Sequence, residues 1–529
     1  MVKTTYATFP PLASEASHPL ALASVVSKLA FSWVQPLLAL GNQRQLQPDD
    51  IWSIRDDDKA APLARQFATA YARHDHRVLR ALASLYWRDV AWLGFLQLVS
   101  VACDLYGPGY VLGNVILALE ASTFDFQHVL VLATSLFVLS AVNVFVKTHN
   151  DYLASIVGLR VSAALQSTLF AKSLRLSADA TKAKSSGEIA NVFASDVATT
   201  MTFATVVNTL WLVPVQVMVI LVLLFQFVGY AAFAGLAVII LILLVNSNAS
   251  NKIGSQRRLV SAATDKRMKA LNELFGGIQI IKFNAWEAKF QAKVDALRQD
   301  EVAALEVYYA KLMLFISLTT STTVLVTLTV FACYILVLHQ PTTVAVIFST
   351  MALLKYLQTY IKQLATAWTS LIQTQVSAQR IHDILQLDEC DPANVQTTVS
   401  SSSTMAVAIT DGMFTWDKTD PTPLFQHLHL TIQQGQLAVV HGAVGQGKSS
   451  LCSILLGEMH KLTGHVHVQG SVAYLSQQPW IQNTTIRENI LFGKPYDRRK
   501  YAAVVEACAL ASDLAALPAG DRTEIGQKG

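Results

Sequence analysis

Charge is what this sequence has least of. Asp, Glu, Lys and Arg make up only 14% of its 529 residues, against about 25% in an average soluble domain. Hydrophobic residues make up 52%, and the mean hydropathy is +0.39. Length alone would suggest about three or four soluble domains. This composition excludes that: there is too little polar surface to cover them. The net charge of +4 is small for the length. It argues against the basic face that binds nucleic-acid phosphates, so no nucleic-acid partner is expected. Cysteine is scarce too. Cys103, Cys333, Cys390, Cys452 and Cys508 show no Cys-x-x-Cys spacing, which gives neither a disulfide framework nor a zinc site. Residues 1–20 lack a basic stretch leading into an apolar core, so no secretory signal is read there. His427 and His429, like His465 and His467, lie two apart on expected strands. Alternation toward solvent explains that spacing more simply than a metal pair.

What is present centres on Gly442-Ala443-Val444-Gly445-Gln446-Gly447-Lys448-Ser449. The apolar run Leu437-Ala438-Val439-Val440 before it reads as a buried strand. Ser450 and the run Leu451-Cys452-Ser453-Ile454-Leu455-Leu456 after it read as a helix. Strand, Gly-x-x-x-x-Gly-Lys-Ser, helix is a phosphate-binding loop in its expected context. Glycines let successive backbone N–H groups turn toward phosphate oxygens, and the helix N-terminus adds partial positive charge. Lys448 can reach the outer phosphates, and the Ser449 hydroxyl can ligate Mg²⁺. ATP and Mg²⁺ are therefore the expected cofactors.

Six apolar stretches precede the loop, at about 91–119, 127–147, 206–228, 230–247, 311–338 and 343–371. Each meets the roughly 20-residue length of a spanning helix, the fourth only narrowly. Lys and Arg set the orientation. The connections at 120–126, Gly229 and His339–Thr342 hold no base. The second connection holds Arg160, Lys172, Arg175, Lys182 and Lys184, and the fourth holds ten bases from Lys252 to Arg298. These two connections, and both chain ends, are therefore expected in the cytosol. Each basic connection is about 60 residues long and has helical periodicity, and long structureless loops are uncommon. The spans should therefore run on as helices into two cytosolic hairpins. The first tip is expected around Leu176–Gly187 and the second around Glu273–Ile280, where Gly276-Gly277 signals the turn.

Four regions follow: 1–90, an amphipathic and polar N-terminal region; 91–372, the six spans; 373–404, a linker ending in serines; and 405–529, the phosphate-loop domain. In the first, the stretch from Ser24 reads as an interfacial helix stopped by Pro36.

Several local sequences now point to a family. Ser32-Trp33-Val34-Gln35-Pro36-Leu37-Leu38 resembles the N-terminal lasso of subfamily C of the ATP-binding-cassette exporters, the multidrug-resistance-associated type. Gly187-Glu188-Ile189-Ala190-Asn191 and Lys282-Phe283-Asn284-Ala285-Trp286-Glu287 resemble its two hairpins. Tyr474-Leu475-Ser476-Gln477-Gln478-Pro479-Trp480 and Ile486-Arg487-Glu488-Asn489 resemble its first nucleotide-binding domain. The resemblance runs from about residue 18 to 529. It implies an all-α six-helix exporter-type transmembrane domain in the membrane, followed by an α/β P-loop nucleotide-binding domain. It further implies ATP-driven export of amphipathic organic anions or conjugates, from a plasma or vacuolar membrane. Regulatory or channel-forming members of the subfamily are the alternative, as is an ATP-binding fragment without transport.

The resemblance assigns roles by position. Trp416 falls where the family stacks an aromatic on adenine; a buried strand aromatic is the plainer reading. Val472–Leu475 reads as an apolar strand, and Gln477 at its end falls where the family touches Mg²⁺ or water. One departure stands out. The sequence stops at Ile525-Gly526-Gln527-Lys528-Gly529, short of the family's Leu-Ser-Gly-Gly-Gln signature, its general-base carboxylate and its second half. The expectation is a truncated chain that binds ATP, needs a partner half and does not hydrolyse ATP alone.

Two charges fall inside expected spans. Asp104 and Lys355 each lie roughly 18–20 Å deep in a 30 Å core. An unpaired charge there is costly. Either the two pair, or Lys355 faces the cavity and attracts an anionic substrate, or both sit in interfacial water.

Overall fold

The computed structural model describes residues 18–120, 125–398, 404–417, 422–477 and 480–526. Gln478, Pro479 and Gln527–Gly529, quoted above, lie outside them. The chain divides into two compact units.

The larger unit comprises Ala60–Leu169 and Ala190–Ile384. Among the described residues, six helices are long and apolar enough to cross a membrane: Val78–Leu119, Phe126–Ser173, Ser186–Val228, Ala231–Gly276, Glu287–Val337 and Val344–Leu385. We call them the first to sixth spans. They measure 42 to 51 residues, while a 30 Å core needs about 20. The excess forms the helical hairpins expected from periodicity. Pro108 lacks an N–H, and the first span accommodates it in a π-helical turn at Gly107–Val111.

Lipid tails are as apolar as leucine, so close packing rather than the hydrophobic effect must hold the spans together. The most apolar stretch of the sixth span is 44% buried and that of the second only 6%. The sixth is thus central and the second faces outward. Leu353, Leu354 and Leu357 of the sixth meet Val326 and Val330 of the fifth, and Ile220 and Leu224 of the third. At Gly235 in the fourth span, an added Cβ would lie 2.5 Å from Val330 Cγ2. Only glycine permits that approach. Beyond the apolar stretches, buried Glu301 accepts from Arg267 Nε at 2.6 Å, Arg298 Nη1 at 2.7 Å and Thr264 Oγ1 at 2.7 Å. A buried carboxylate is tolerable with such donors, and they tie the fourth span to the fifth.

The smaller unit comprises residues up to Lys59, Phe170–Ile189 and Leu385–Gly529. Pro36 does not stop a helix; it starts one, Gln35–Gln43. In a first turn the missing N–H costs nothing, because no partner exists there. His18, Trp33 and Trp52 cluster with ring centroids 5.4–5.8 Å apart. The first hairpin tip carries a short helix, Ala178–Ala183, capped by Ser177. The second tip, in the larger unit, falls where expected: the long helix ends at Gly276, and Gly277 is a turn residue with φ −108°. A short helix, Ile278–Phe283, follows, and a second turn at Asn284–Ala285, where Ala285 has φ +52°, leads into the next long helix.

The sheet of the smaller unit uses β1 (Gln396–Thr398), β2 (Met405–Thr415), β3 (Phe425–Gln433) and β4 (His460–Gln469) in the order β1-β4-β2-β3. Only β1–β4 is parallel. Ile409, Phe414, Val466 and Val468 alternate inward and bury Ile454 and Met459. β5 (Thr484–Thr485) and β6 (Glu524–Ile525) form a separate pair.

Two expected strands are absent. Residues 436–443 and 471–476 form no strand, and Leu437 and Leu475 are 91% and 86% exposed. Apolar sequence favours a buried parallel strand only where neighbours supply ladder partners and a second layer. Among the described residues, neither run has such a neighbour.

Candidate functional site

The phosphate-loop motif is built where the sequence places it. Gly445 and Gly447 have φ values of +89° and +85°, a region costly for residues with a Cβ. A Cβ on Gly447 would also press to 3.0 Å from the Phe425 ring. The helix Lys448–Leu456 follows at once, with Gly447 as its N-cap. Gly442, Ala443, Val444, Gly445 and Gln446 form the exposed bend before it. Gln446 braces the bend, its Oε1 accepting from Ala443 N at 2.9 Å.

Lys448 Nζ donates to the carbonyls of Gly442 at 2.9 Å and Ala443 at 2.7 Å. An ammonium has three protons, so one remains for a phosphate oxygen. The ammonium is thereby positioned by the loop it belongs to. Ser449 is exposed one residue on, and Ser450 Oγ accepts from Trp416 Nε1 at 3.2 Å. Trp416 is half-buried against the sheet core. The structure thus joins Trp416 to the loop helix, a contact that periodicity could not show. Gln477 is an exposed bend residue. No hydrogen bond joins it to Ser449 among the described residues.

In the membrane unit one of the three readings left open for Asp104 and Lys355 is not realised. Asp104 and Lys355 form no ion pair. Asp104 Oδ1 instead accepts from Asn143 Nδ2 at 2.6 Å, and Asn143 Oδ1 accepts from Ser100 Oγ at 2.6 Å. The partners come from the second span and from Asp104's own helix, while Lys355 is exposed on the sixth. Asn143 carries no charge, so sequence reasoning gave it no weight. Its position within an apolar stretch was the available signal. A separate cavity of about 810 Å³ is lined mostly by apolar side chains, among them Trp87, Phe95, Phe203 and Trp211. Its one amide, Asn208, is already spent on Val90 O and Trp211 Nε1.

Residues 90–361 match the model of the ABC transporter transmembrane region, and residues 425–524 match that of the ABC transporter domain. The chain belongs to the ATP-binding-cassette transporters. It is 31% identical to ATP-binding cassette sub-family C member 3 of Mus musculus, over 97% of this chain and 36% of that protein. It is likewise 31% identical to ABC transporter C family member 6 of Arabidopsis thaliana, over 97% of this chain and 36% of that protein. The rat sub-family C member 3 is 32% identical, over 97% and 35%. This ABC transporter is therefore of subfamily C and a multi-pass integral membrane protein. The chain spans about a third of the length of these relatives.

Proposed function

We propose that the chain is the ATP-binding, membrane-spanning first part of an exporter of amphipathic organic anions or conjugates. The observation that carries this reading is the loop itself. Its glycines curl the backbone, its carbonyls hold Lys448, and six spans share the chain with it. In this reading residues Gly442–Ser450 wrap the phosphates of ATP, and Lys448 gives its third proton to them. The exposed Ser449 hydroxyl is a fitting oxygen ligand for Mg²⁺, with Gln477 as a further one. Trp416, fixed by Ser450, presents its ring to adenine. Bound nucleotide supplies the energy that drives closure between cassettes.

The proposed division is an N-terminal region 1–90, a transmembrane domain 91–372, a linker 373–404 and a nucleotide-binding domain 405–529. Both chain ends are cytosolic, in a plasma or vacuolar membrane. The partners are membrane lipid, the cargo and a second transmembrane and nucleotide-binding half.

The test is uptake of a fluorescent organic-anion conjugate into inside-out vesicles carrying this chain with a second half. We expect uptake with ATP, none with ADP, and none in Lys448→Ala. Intact nucleotide labelling without uptake would overturn the transport reading and favour a regulatory role.

A further inference from the structure

Three buried amide oxygens without partners converge on one cavity of the membrane unit. Gln97 Oε1, Asn150 Oδ1 and Gln216 Oε1 are buried and accept no hydrogen bond from described residues. All three side chains line the same cavity, of about 170 Å³. Asn150 and Gln216 are only 6% and 5% exposed. They come from the first, second and third spans, so no single helix imposes the convergence.

The carboxylates of Asp104 and Asp151 line the cavity too, with Lys147 as its only basic residue. Two acids against one base leave a formal charge of −1. Lys147 makes no ion pair among the described residues, so its ammonium does not neutralise either carboxylate by contact. An amide can turn to present nitrogen or oxygen. A carboxylate cannot, so the two aspartates decide the sign.

We propose that this cavity binds a compact monovalent cation, either an inorganic ion such as K⁺ or the primary ammonium group of a bound molecule. Water alone fits by size, at roughly 30 Å³ per molecule. It would satisfy the amides yet leave the half-buried Asp104 carboxylate, which lies within a span, with no counter-charge in contact, and that is costly; Asp151 is exposed at the cavity's rim. Gln216 lies twelve residues from Val228, about 18 Å from the outer end of its helix. An anion would face both carboxylates. A divalent ion would leave the site with net positive charge, since Lys147 already offsets one of its two carboxylates in formal charge. The inference goes beyond the transport reading and is independent of nucleotide binding. It adds that the negative group of a cargo does not sit here.

The test is thermal unfolding of the purified 529-residue chain in detergent, at fixed ionic strength. KCl, methylammonium chloride and choline chloride are compared, choline being bulky and without N–H. We expect a saturable rise in Tm with K⁺ or methylammonium and none with choline. A rise with methylammonium alone assigns the cavity to an organic ammonium group; a rise with K⁺ assigns it to an inorganic ion. Asp151→Asn and Gln216→Leu should abolish the rise. Lys147→Met removes an opposing charge at an exposed position, and its half-saturation should fall at least about threefold. Identical curves in all three salts, for the parent and Lys147→Met alike, would overturn the proposal.

Discussion

His460 Nε2 lies 2.9 Å from Asp179 Oδ2, although 281 positions separate them in the chain. Asp179 stands in the first turn of the Ala178–Ala183 helix at the first hairpin tip. His460 opens β4, four residues past the end of the phosphate-loop helix. Their side chains are 10% and 31% exposed, so the contact is partly shielded from water. It gives the nucleotide-binding region a direct handle on the hairpin tip.

A double-mutant cycle checks that handle. His460→Ala and Asp179→Ala should each lower the melting temperature of the detergent-solubilised chain. Together they should cost less than their sum, with a coupling of about 1 kcal/mol. Strict additivity would mean that the contact contributes nothing.

Nucleotide binding is the second expectation. Lys448→Ala should abolish photo-labelling by an ATP analogue, because the phosphates lose their nearest counter-charge. Trp416→Ala should weaken labelling by about 1–3 kcal/mol, the range for aromatic–base stacking. Full labelling of Lys448→Ala would remove the loop from consideration.

The Asp104 network makes a third. Asn143→Ala takes away the amide that donates to Asp104 and should destabilise the chain by about 1–3 kcal/mol. Lys355→Gln, an exposed change, should stay within about 0.5 kcal/mol of the parent. Exchanging the charges, Asp104→Lys with Lys355→Asp, should not restore stability. A rescue by the exchange would bring the ion pair back.

Acid sensitivity supplies a fourth. Arg487 donates to Asp521 through Nε at 2.7 Å and Nη2 at 2.9 Å. These bonds hold the Asp521 carboxyl below its ordinary value of 3.8. A depressed folded value stabilises above pH 3.8 and is lost as pH falls through the folded value. Asp521→Asn should therefore be less stable at pH 7, by no more than about 1 kcal/mol for so open a pair. The gap should narrow below pH 3.8. A gap that stays constant across that range would assign the effect to packing.

Where sequence reasoning held, the signal was local. Six runs of about 20 apolar residues need only the bilayer as partner, and each lies within a helix that could span. The phosphate loop is a matter of consecutive dihedrals, and Gly445 and Gly447 adopt the left-handed values that only glycine holds cheaply. Where it failed, the missing term was a neighbour. Leu437–Val440 has the composition of a core strand, yet composition cannot supply a strand beside it. Gly276-Gly277 does mark a turn, but the short helix Ile278–Phe283 and the further turn at Asn284–Ala285 after it carried no such local signal.

The sequence by itself determined the membrane class, the six spans and the glycine-built bend that leads into the helix at Lys448. Each depends on residues close in the chain, or on contact with a uniform solvent. Only the tertiary structure decided that Asp104 turns to Asn143 rather than Lys355, that Trp416 bonds Ser450, and that His460 meets Asp179. It alone gathered Gln97, Asn150 and Gln216 around one cavity. Such pairings depend on how helices and strands rotate against one another. Helix rotation is set by packing at many positions at once, and no single stretch of sequence carries that information.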